Sequence, residues 1–357
     1  MMNKVNQLDF EKQPFFIGLD VHKKSWAVTI RSNKMHLKTF SMNPSTQELF
    51  RYMNNNYPGG LYQTVYEAGY SGFWIHKQLE EHGFDSIVIN PADVPTTNKE
   101  KTNKRDKVDS SKLSRELENG SLQGIYIPDE FHQQLRTLCR LRYRIMQSQT
   151  RVKNRIKGLL SYYGILVPEH CELCHWSKAF ILWLQSIEFS FPAGKESLRF
   201  CIEELLSHRK RLAELIRVLR KNINQYELSQ LISNLCSVPG IGFVTASTMY
   251  CELIDINRFD NLDHLASFVG LVPSTTASSD QEYDRGLTFR YNKHLRYLLV
   301  EAAWIAVRKD PVLTHKFSQL TRRMTKQNAI IRIAKKLLSR VQYVWKHQKR
   351  YVPGVIE

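Results

Sequence analysis

Four carboxylates are the residues of this chain whose types and spacing best suit chemistry: Asp20, Glu67, Asp106 and Asp109. Asp20 and Glu67 each stand where a short apolar segment ends, and a carboxylate there is costly unless it binds something. Asp106 and Asp109 are three residues apart, so they share one face at a helix start. Four converging carboxylates repel one another unless divalent cations neutralise them, and hard oxygen donors suit Mg²⁺ or Mn²⁺. Two such ions can clamp a phosphodiester during in-line displacement, so the set predicts metal-dependent phosphoryl chemistry.

Each of these acids also has an ordinary structural explanation. Asp20 could cap a turn, and either Asp106 or Asp109 could cap the N-terminus of a helix, since Asp is preferred at both kinds of position. Capping alone does not explain why two acids follow Lys104 and Arg105 so closely. For Asp106 or Asp109 taken alone, capping is the simpler explanation, whereas for Asp20 both explanations stay open.

A second candidate site is the Ser- and Thr-rich segment 270–280, which we interpret as a loop after an apolar helix. By composition alone, an ordinary linker is the simpler explanation. Arg285, Lys293 and Arg296 follow it and could hold a phosphate near a serine hydroxyl. An activated serine can act as a covalent nucleophile, so the segment is a candidate for nucleophilic catalysis.

The N-terminal part of the chain must position the acids, and strand and helix signals alternate along it. The predicted strands are 15–20, 25–31, 35–41, 61–66 and 85–90, and the predicted helices are 45–56, 71–82 and 106–118. Three strands followed by strand–helix alternation predict an α/β region, a mixed sheet with helices packed on it. Asp20 and Glu67 would then lie at strand ends, where two carboxylates can converge.

Two long amphipathic helices are predicted over 129–164 and 196–226, which favours an antiparallel hairpin or coiled coil and a dimerisation arm. The first has no acid between Phe131 and Tyr163. Like charges at i,i+4 destabilise a helix, so a one-signed run favours phosphate contact over a merely solvated face. The residues predicted to bind nucleic acid are Arg136, Arg140, Arg144, Arg151, Lys153 and Arg155, together with Lys104, Arg105, Arg285, Lys293 and Arg296.

The remaining sequence predicts a mainly helical C-terminal domain, with helices over 243–254, 261–269, 292–308 and 325–346. The segment Leu235–Ala246 resembles a helix-hairpin-helix turn, whose free N–H groups could hold a phosphate. A plain connection between two helices is the alternative. The predicted domains are residues 1–125, 126–227 and 228–357.

Charge identifies the class of partner. The formal net charge is +17, which calls for a polyanion, most simply nucleic acid, with an anionic membrane surface as the alternative. No apolar run approaches the about 18 residues of a membrane-spanning helix, and the N-terminus lacks a secretory signal. We therefore expect a cytoplasmic, nucleoid-associated protein.

The pair Cys171 and Cys174 could ligate a metal with its flanking histidines, but such close ligands are sterically poor, and reduced cysteines are the simpler interpretation.

Four motifs in a fixed order resemble the DEDD insertion-sequence transposases over about residues 15–347. They are Gly18-Leu19-Asp20-Val21-His22, Tyr66-Glu67-Ala68, Asp106-x-x-Asp109 and Gly270-Leu271-x-Pro273…Ser278. The resemblance implies a RuvC-like (RNase-H-like) domain, a coiled coil and a C-terminal serine domain. It implies that the four acids bind Mg²⁺ or Mn²⁺ and that Ser278 forms a phosphoserine link with DNA. It further implies a homo-oligomer, a dimer or tetramer, and a structured guide (bridge) RNA.

The sequence departs from that family at two places. Ser279 stands where the family usually has Gly, and Tyr291-Asn292 stands where it has Gly-Asn. Counting from Pro273 selects Ser278 as the nucleophile, with Ser279 as the alternative. Two other functions remain open on sequence grounds: a Holliday-junction nuclease that uses water as nucleophile, and a non-catalytic nucleic-acid-binding protein.

Overall fold

The computed structural model describes residues 10–95, 106–168, 176–278 and 281–354, without the side chains of 106–107, 274–278 and 281–285. The chain divides into two compact units that meet at the Ile127–Pro128 bond, called here the N-terminal and C-terminal units. Lys104, Arg105, Ser279 and the Cys171–Cys174 pair lie outside the described residues. The predicted three-domain division stays a prediction. No described helix is both long enough and apolar enough to span a bilayer.

The N-terminal unit is built on a five-stranded mixed sheet, as predicted. Its strands are β1 Pro14–Val21, β2 Trp26–Ser32, β3 Met35–Met42, β4 Leu61–Glu67 and β5 Asp85–Ile89, in the order β3-β2-β1-β4-β5. The strands β1, β2 and β3 pair antiparallel, whereas β4 runs parallel to β1 and β5 parallel to β4. The carboxyl ends of β1, β4 and β5 therefore share one edge.

Helices cover both faces of this sheet, because successive strand residues point to opposite sides. The helices are α1 Thr46–Asn56, α2 Trp74–Glu81 and α3 Asp106–Glu118. Apolar residues of α1 and α2 pack with Phe15, Ile17 and Leu19 of β1 on one face. On the other face, Leu113 of α3 packs with Val65 of β4. The predicted bounds of these elements are confirmed to within a few residues.

The C-terminal unit is mainly helical, as predicted. Its helices are α4 Glu130–Tyr162, α5 Lys178–Ser186, α6 Pro192–Gln225, α7 Ser229–Cys236, α8 Phe243–Leu253, α9 Leu262–Val269, α10 Lys293–Lys309, α11 Pro311–Thr321 and α12 Lys326–His347. Early residues of α4 pack with late residues of α6, and late residues of α4 with early ones of α6. The two long helices therefore form the predicted antiparallel pair. The short helices α5, α7 and α11 were not predicted.

Two connections of the C-terminal unit bear on the candidate sites. The segment between α7 and α8 connects two helices, and its assignment to a helix-hairpin-helix stays a prediction. In this segment Gly240 has φ +85°, and a Cβ there would lie 2.2 Å from the Ala302 carbonyl oxygen. The prediction of a loop over 270–280 is wrong. The chain instead forms a hairpin, β6 Pro273–Ser278 and β7 Gln281–Leu287, which the β-branched pair Thr275-Thr276 favours.

Candidate active site

Asp20 and Glu67 lie side by side at the carboxyl edge of the sheet. The parallel register of β1 and β4 ends with Leu19 opposite Tyr66, so the next residue on each strand is one of the two acids. Glu67 also pairs with Ile89 of β5, which is buried on the face that α3 covers. The predicted convergence of these two strand ends is therefore present in the backbone register.

Helix α3 lies directly on β1 at Gly18, which shares its face of the strand with Asp20. A Cβ at position 18 would lie 2.1 Å from the Ser110 carbonyl oxygen and 2.5 Å from the Ser114 nitrogen. The hydroxyl of Thr29, which pairs with Gly18 from β2, lies 2.9 Å from the buried Ser110 hydroxyl. Glycine at position 18 therefore permits the close helix–strand contact that holds α3 over the face of the sheet that carries Asp20.

The direction of α3 brings its first turn towards the acids. At its other end, Glu118 accepts a hydrogen bond of 2.7 Å from Arg31, which lies opposite Phe16 near the start of β1. The helix therefore runs antiparallel to β1, with its N-terminus towards the end of the strand that carries Asp20. Asp109 immediately precedes Ser110, so it belongs to that end of the helix.

The fit of this edge to a divalent cation rests on the chemistry of its donors. Asp20 and Glu67 supply hard carboxylate oxygens on adjacent strands, the donor type that Mg²⁺ and Mn²⁺ prefer. Asp20 also lies 3.3 Å from the imidazole of His22. Among the side chains that the structure describes, no group of three or more His, Cys, Asp or Glu could hold a metal ion. Asp20, Glu67 and Asp109 are among these described side chains, so the structure does not bring the three together as such a group. The Asp106 side chain lies outside that description, and the four-acid set stays a prediction.

Ser278 lies in the C-terminal unit, at the end of β6. Its Cα partner is Gln281, the first residue of β7. The alternative nucleophile, Ser279, lies outside the described residues. Arg285 belongs to β7, without a described side chain. The backbone therefore assigns Ser278 to the tip of a two-stranded hairpin.

Contacts at the base of this hairpin tie it to α9 and α10. Asn292 donates its backbone N–H to the carbonyl of Phe268 at 3.1 Å, and Thr288 donates to Val272 at 3.1 Å. The guanidinium of Arg296 donates to the Thr288 carbonyl and lies 3.5 Å from the centroid of the Tyr291 ring. Both ends of the segment that carries Ser278 are therefore fixed beside the first turn of α10.

Glu252 of α8 is the buried carboxylate that the charged and polar groups at the base of the hairpin contact. Its side chain is 1% exposed and accepts two hydrogen bonds from Arg140, at 2.8 and 2.9 Å, and one of 2.9 Å from the Asn292 amide. Arg136 lies 3.8 Å away. Burial opposes ionisation of the carboxyl, but the hydrogen bonds and charge of Arg140 outweigh it and lower the pKa of Glu252. The buried carboxylate thus links α4 and α8 to the N-cap of α10.

Several cations predicted to contact phosphate already have partners within the protein. Besides Arg136 and Arg140, Arg155 pairs with Glu204 of α6 at 2.7 Å. Lys153 lies 5.6 Å from the centroid of the Trp176 ring, and burial lowers its pKa. Partners of this kind come from other parts of the chain, so the one-signed sequence of α4 does not reveal them.

The other predicted cations differ in their surroundings. Arg151 donates to the Ser148 hydroxyl at 2.9 Å, within its own helix. Arg144 and Lys293 are exposed. Arg296 supports the hairpin base, and its Nε is buried without a hydrogen-bond partner among the described residues. The assignment of this set to phosphate contact stays a prediction, and Arg144 and Lys293 suit it best on exposure.

Glu252 was not predicted from the sequence as a functional residue. Asn292 was noted only as part of Tyr291-Asn292, which stands where the family has Gly-Asn. Glu252 is the one acid in the otherwise apolar and small-residue helix Phe243–Leu253. A lone acid on a buried helix is a signal, because such a charge is retained only when it is paired. Asn292 is an N-cap, and its side chain accepts from the backbone N–H groups of His294 and Leu295.

Comparison with known proteins links both units to one family. A DEDD transposase model of the IS110 group matches residues 17–165. A second model, described as the IS116/IS110/IS902 transposase family, matches residues 232–319. The first includes Asp20, Glu67, Asp106 and Asp109, and the second includes Ser278.

Individual relatives are similar over long stretches. The y4rJ protein of Sinorhizobium fredii is 26% identical, over 90% of this chain and 89% of its own length. The y4qE protein of the same organism is 27% identical over 67% of this chain. The transposase for insertion sequence element IS1111A of Coxiella burnetii is 28% identical over 61% of this chain. The chain spans 57% and 59% of the length of the last two relatives.

Two models of one family therefore match the two units in the order in which the sequence motifs occur. The chain belongs to the IS110 family of insertion-sequence transposases.

Proposed function

We propose that this protein cleaves and rejoins DNA strands as the transposase of an insertion sequence. The observation that carries the proposal is the register that brings Asp20 and Glu67 to adjacent ends of β1 and β4, beneath the first turn of α3. The strand order β3-β2-β1-β4-β5, with three antiparallel strands followed by two parallel ones, supports a RuvC-like fold.

The acids are proposed to form the metal-binding half of the active site. Asp20 and Glu67 would hold a divalent cation, Mg²⁺ or Mn²⁺, together with Asp106 and Asp109 from the covering helix. When bound, such an ion stabilises negative charge on a phosphodiester under attack. The buried contact of α3 at Gly18 would keep the four carboxylates at a fixed separation.

The hydroxyl of Ser278 is proposed as the nucleophile. Its oxygen attacks a DNA phosphorus, so that a Ser–O–P bond forms while one phosphodiester P–O bond breaks. The serine proton passes to a base, and the departing deoxyribose oxygen gains a proton. Attack by the deoxyribose hydroxyl of a second strand reverses the process, which releases the serine and joins the new strand.

Partners follow from the same proposal. DNA is the substrate, and the net charge of +17 favours its binding. A structured guide RNA, a homo-oligomer that combines acids and serines of different protomers, and a place in the nucleoid belong to the proposal as family expectations.

The acid half can be tested with Asp20→Asn in an excision assay that uses the element's own ends. We expect loss of excision, because the change removes one anionic oxygen donor at almost constant size. Asp85→Asn is the matched control, since Asp85 is exposed at the opposite end of the same sheet and, among the described residues, its side chain accepts a hydrogen bond only from Gln63. Full activity of Asp20→Asn, or equal loss in Asp20→Asn and Asp85→Asn, would overturn the metal-binding assignment.

The serine half needs a separate test. Ser278→Ala and Ser279→Ala would be assayed for excision and for a covalent protein–DNA adduct trapped on a nicked substrate. We expect only Ser278→Ala to lose both. If only Ser279→Ala is inactive, the register is wrong by one residue. DNA cleavage without any adduct would instead support a nuclease that uses water.

DNA binding by α4 is testable through its salt dependence. Removing one cation that contacts a duplex phosphate lowers the slope of log affinity against log salt by about 0.9. We expect this change for Arg144→Ala. Arg199→Ala is the control, because Arg199 is also exposed but is paired with Glu196 and Glu203. Equal slopes for wild type and Arg144→Ala would refute the contact.

A further inference from the structure

The last two helices of the chain carry charge of only one sign. Between Asp310 and Glu357 the sequence has no acid. Eleven Lys and Arg residues occupy that interval: Lys316, Arg322, Arg323, Lys326, Arg332, Lys335, Lys336, Arg340, Lys346, Lys349 and Arg350. So large a charge in one segment destabilises the segment unless an anion faces it.

Some of these cations are neutralised within the unit, and others are not. Lys335 pairs with Asp263 at 2.7 Å, and Arg340 pairs with the buried Asp310 at 2.6 Å. Arg332, Lys336 and Lys346 are exposed, and within the described part of the chain the structure records no ion pair for them. The structure therefore separates cations that hold the fold together from cations that face solvent.

Three solvent-facing cations of α12, Arg332, Lys336 and Lys346, lie on one stripe, whereas the exposed Lys326 in the first turn lies outside it. At 100° per residue, positions 332, 336, 343, 346 and 347 fall within about 100° of the helix circumference, opposite the buried face. That buried face contains Ile333, Leu337, Val341 and Val344. The stripe from Arg332 to His347 extends over about 22 Å, at about 1.5 Å per residue. We call these five residues the α12 stripe: Arg332, Lys336, Tyr343, Lys346 and His347.

Two aromatic rings lie among these cations. Tyr343 is 53% exposed, and the centroid of its ring lies 4.3 Å from that of His347. A duplex backbone needs only cations, since its bases are already stacked on one another. Exposed rings interleaved with cations are instead the pattern that binds unpaired strands, in which each base offers a face for stacking.

We propose that the α12 stripe binds an unpaired DNA strand through its phosphates and at least one base. This inference rests on the proposed function in one respect. A strand that is exchanged between duplexes must leave its complement first, so unpaired DNA is the form that strand exchange produces. Arg332, Lys336 and Lys346 contact phosphates, and Tyr343, backed by His347, stacks on a base.

Binding of labelled oligonucleotides to the full chain tests the proposal without requiring catalysis. The probes are single-stranded DNA, duplex DNA and single-stranded RNA of equal length, each titrated at several salt concentrations. We expect Tyr343→Ala to weaken binding of single-stranded DNA by about 5- to 100-fold, the size of one base–aromatic stack. Tyr343→Phe should bind like wild type, because it keeps the ring.

The cations have a matched pair of variants on the same helix. Arg332→Ala should reduce the salt slope for single-stranded DNA by about 0.7, the value for one phosphate contact. Lys335 lies three residues after Arg332 and is paired with Asp263. Lys335→Ala removes the same charge as Arg332→Ala but should leave the salt slope unchanged.

Three results would overturn the proposal: equal binding by Tyr343→Ala and wild type, equal slopes for Arg332→Ala and Lys335→Ala, or an effect of Tyr343→Ala confined to RNA or to duplex DNA. Ser278→Ala keeps the stripe intact and should bind single-stranded DNA like wild type. A failure of the proposed strand chemistry is thereby distinguishable from a failure of this surface.

Discussion

Replacing Glu252 by Gln tests whether the base of the serine hairpin depends on a buried charge. Removing one partner of a buried ion pair costs about 3–5 kcal/mol when the other charge is left uncompensated. Arg140 is 42% exposed and can regain water, while Arg136 keeps its hydrogen bond to the Cys251 carbonyl. We therefore expect a smaller loss in the free energy of unfolding, about 2 kcal/mol.

Urea unfolding of the full chain measures this loss. With a slope of about 2 to 3 kcal/mol per molar urea, the midpoint should fall by about 0.7 to 1 M. Amide hydrogen exchange in α8 and α10 assigns the change to the C-terminal unit. Glu204→Gln is the matched control, because Glu204 also pairs with an arginine at 2.7 Å but both side chains are about half exposed. Such a pair contributes less than about 1 kcal/mol.

Equal midpoints for the Glu252→Gln and Glu204→Gln variants would mean that the buried charge of Glu252 does not stabilise the C-terminal unit. The pH dependence of unfolding provides a second check. The pKa of Glu252 lies below its ordinary value of 4.5 in the folded protein. The unfolded chain therefore binds a proton more readily, so the carboxylate's stabilisation is complete above about pH 4.5. It is lost as pH falls through the folded pKa. The difference in unfolding free energy between wild type and Glu252→Gln should shrink over that range.

Three further substitutions test the surroundings of the two sites. Burial lowers the pKa of His294 below 6.5, so the C-terminal unit should lose stability as pH falls from 6.5 through the folded pKa, and His294→Phe should remove that dependence in thermal unfolding. Gly18→Ala should cost at least about 3 kcal/mol or prevent folding because its Cβ meets the backbone of α3, whereas Gly69→Ala, with its nearest atom at 3.9 Å, should be nearly neutral in urea unfolding. Asn292→Ser keeps a helix cap but loses the bond to the buried carboxylate, so it should cost about 1.5–3 kcal/mol, while Asn261→Ser, a cap without such a bond, should cost almost nothing.

The periodic spacing of apolar residues predicted most elements of the fold, because this spacing depends only on residues close together in the sequence. Three helices of at most about three turns, α5, α7 and α11, escaped it, although α2 and α9 are equally short and were predicted. The segment 270–280 was assigned to a loop on its small hydroxyl residues, although Thr275 and Thr276 favour a strand. The described fold thus departs from the prediction in short elements, though not in every short element.

In the candidate site too, features set by neighbouring residues were predictable from the sequence, and contacts between distant residues were not. The strand ends at Asp20 and Glu67 were predictable from sequence, and their adjacency follows from the parallel pairing of β1 with β4. The partner of Arg140 was not predictable, because Glu252 is more than a hundred residues further along the chain. A one-signed helix run therefore overstates the charge available to nucleic acid whenever other helices supply the missing acids.

Whether a cation is paired with an acid from another helix decides whether it is a candidate for binding nucleic acid. In α4, acids from α6 and α8 neutralise three of the six predicted arginines and lysines, and the buried Glu252 turns two of them into supports for the hairpin base. In α12, the two paired cations meet Asp263 and Asp310 from outside the helix, while Arg332, Lys336 and Lys346 share their face with Tyr343. Charge left over after internal pairing, and not total charge, is what a polyanion can use. By that criterion the surface of α12 is a better candidate for binding a DNA strand than the helix whose sequence first suggested it.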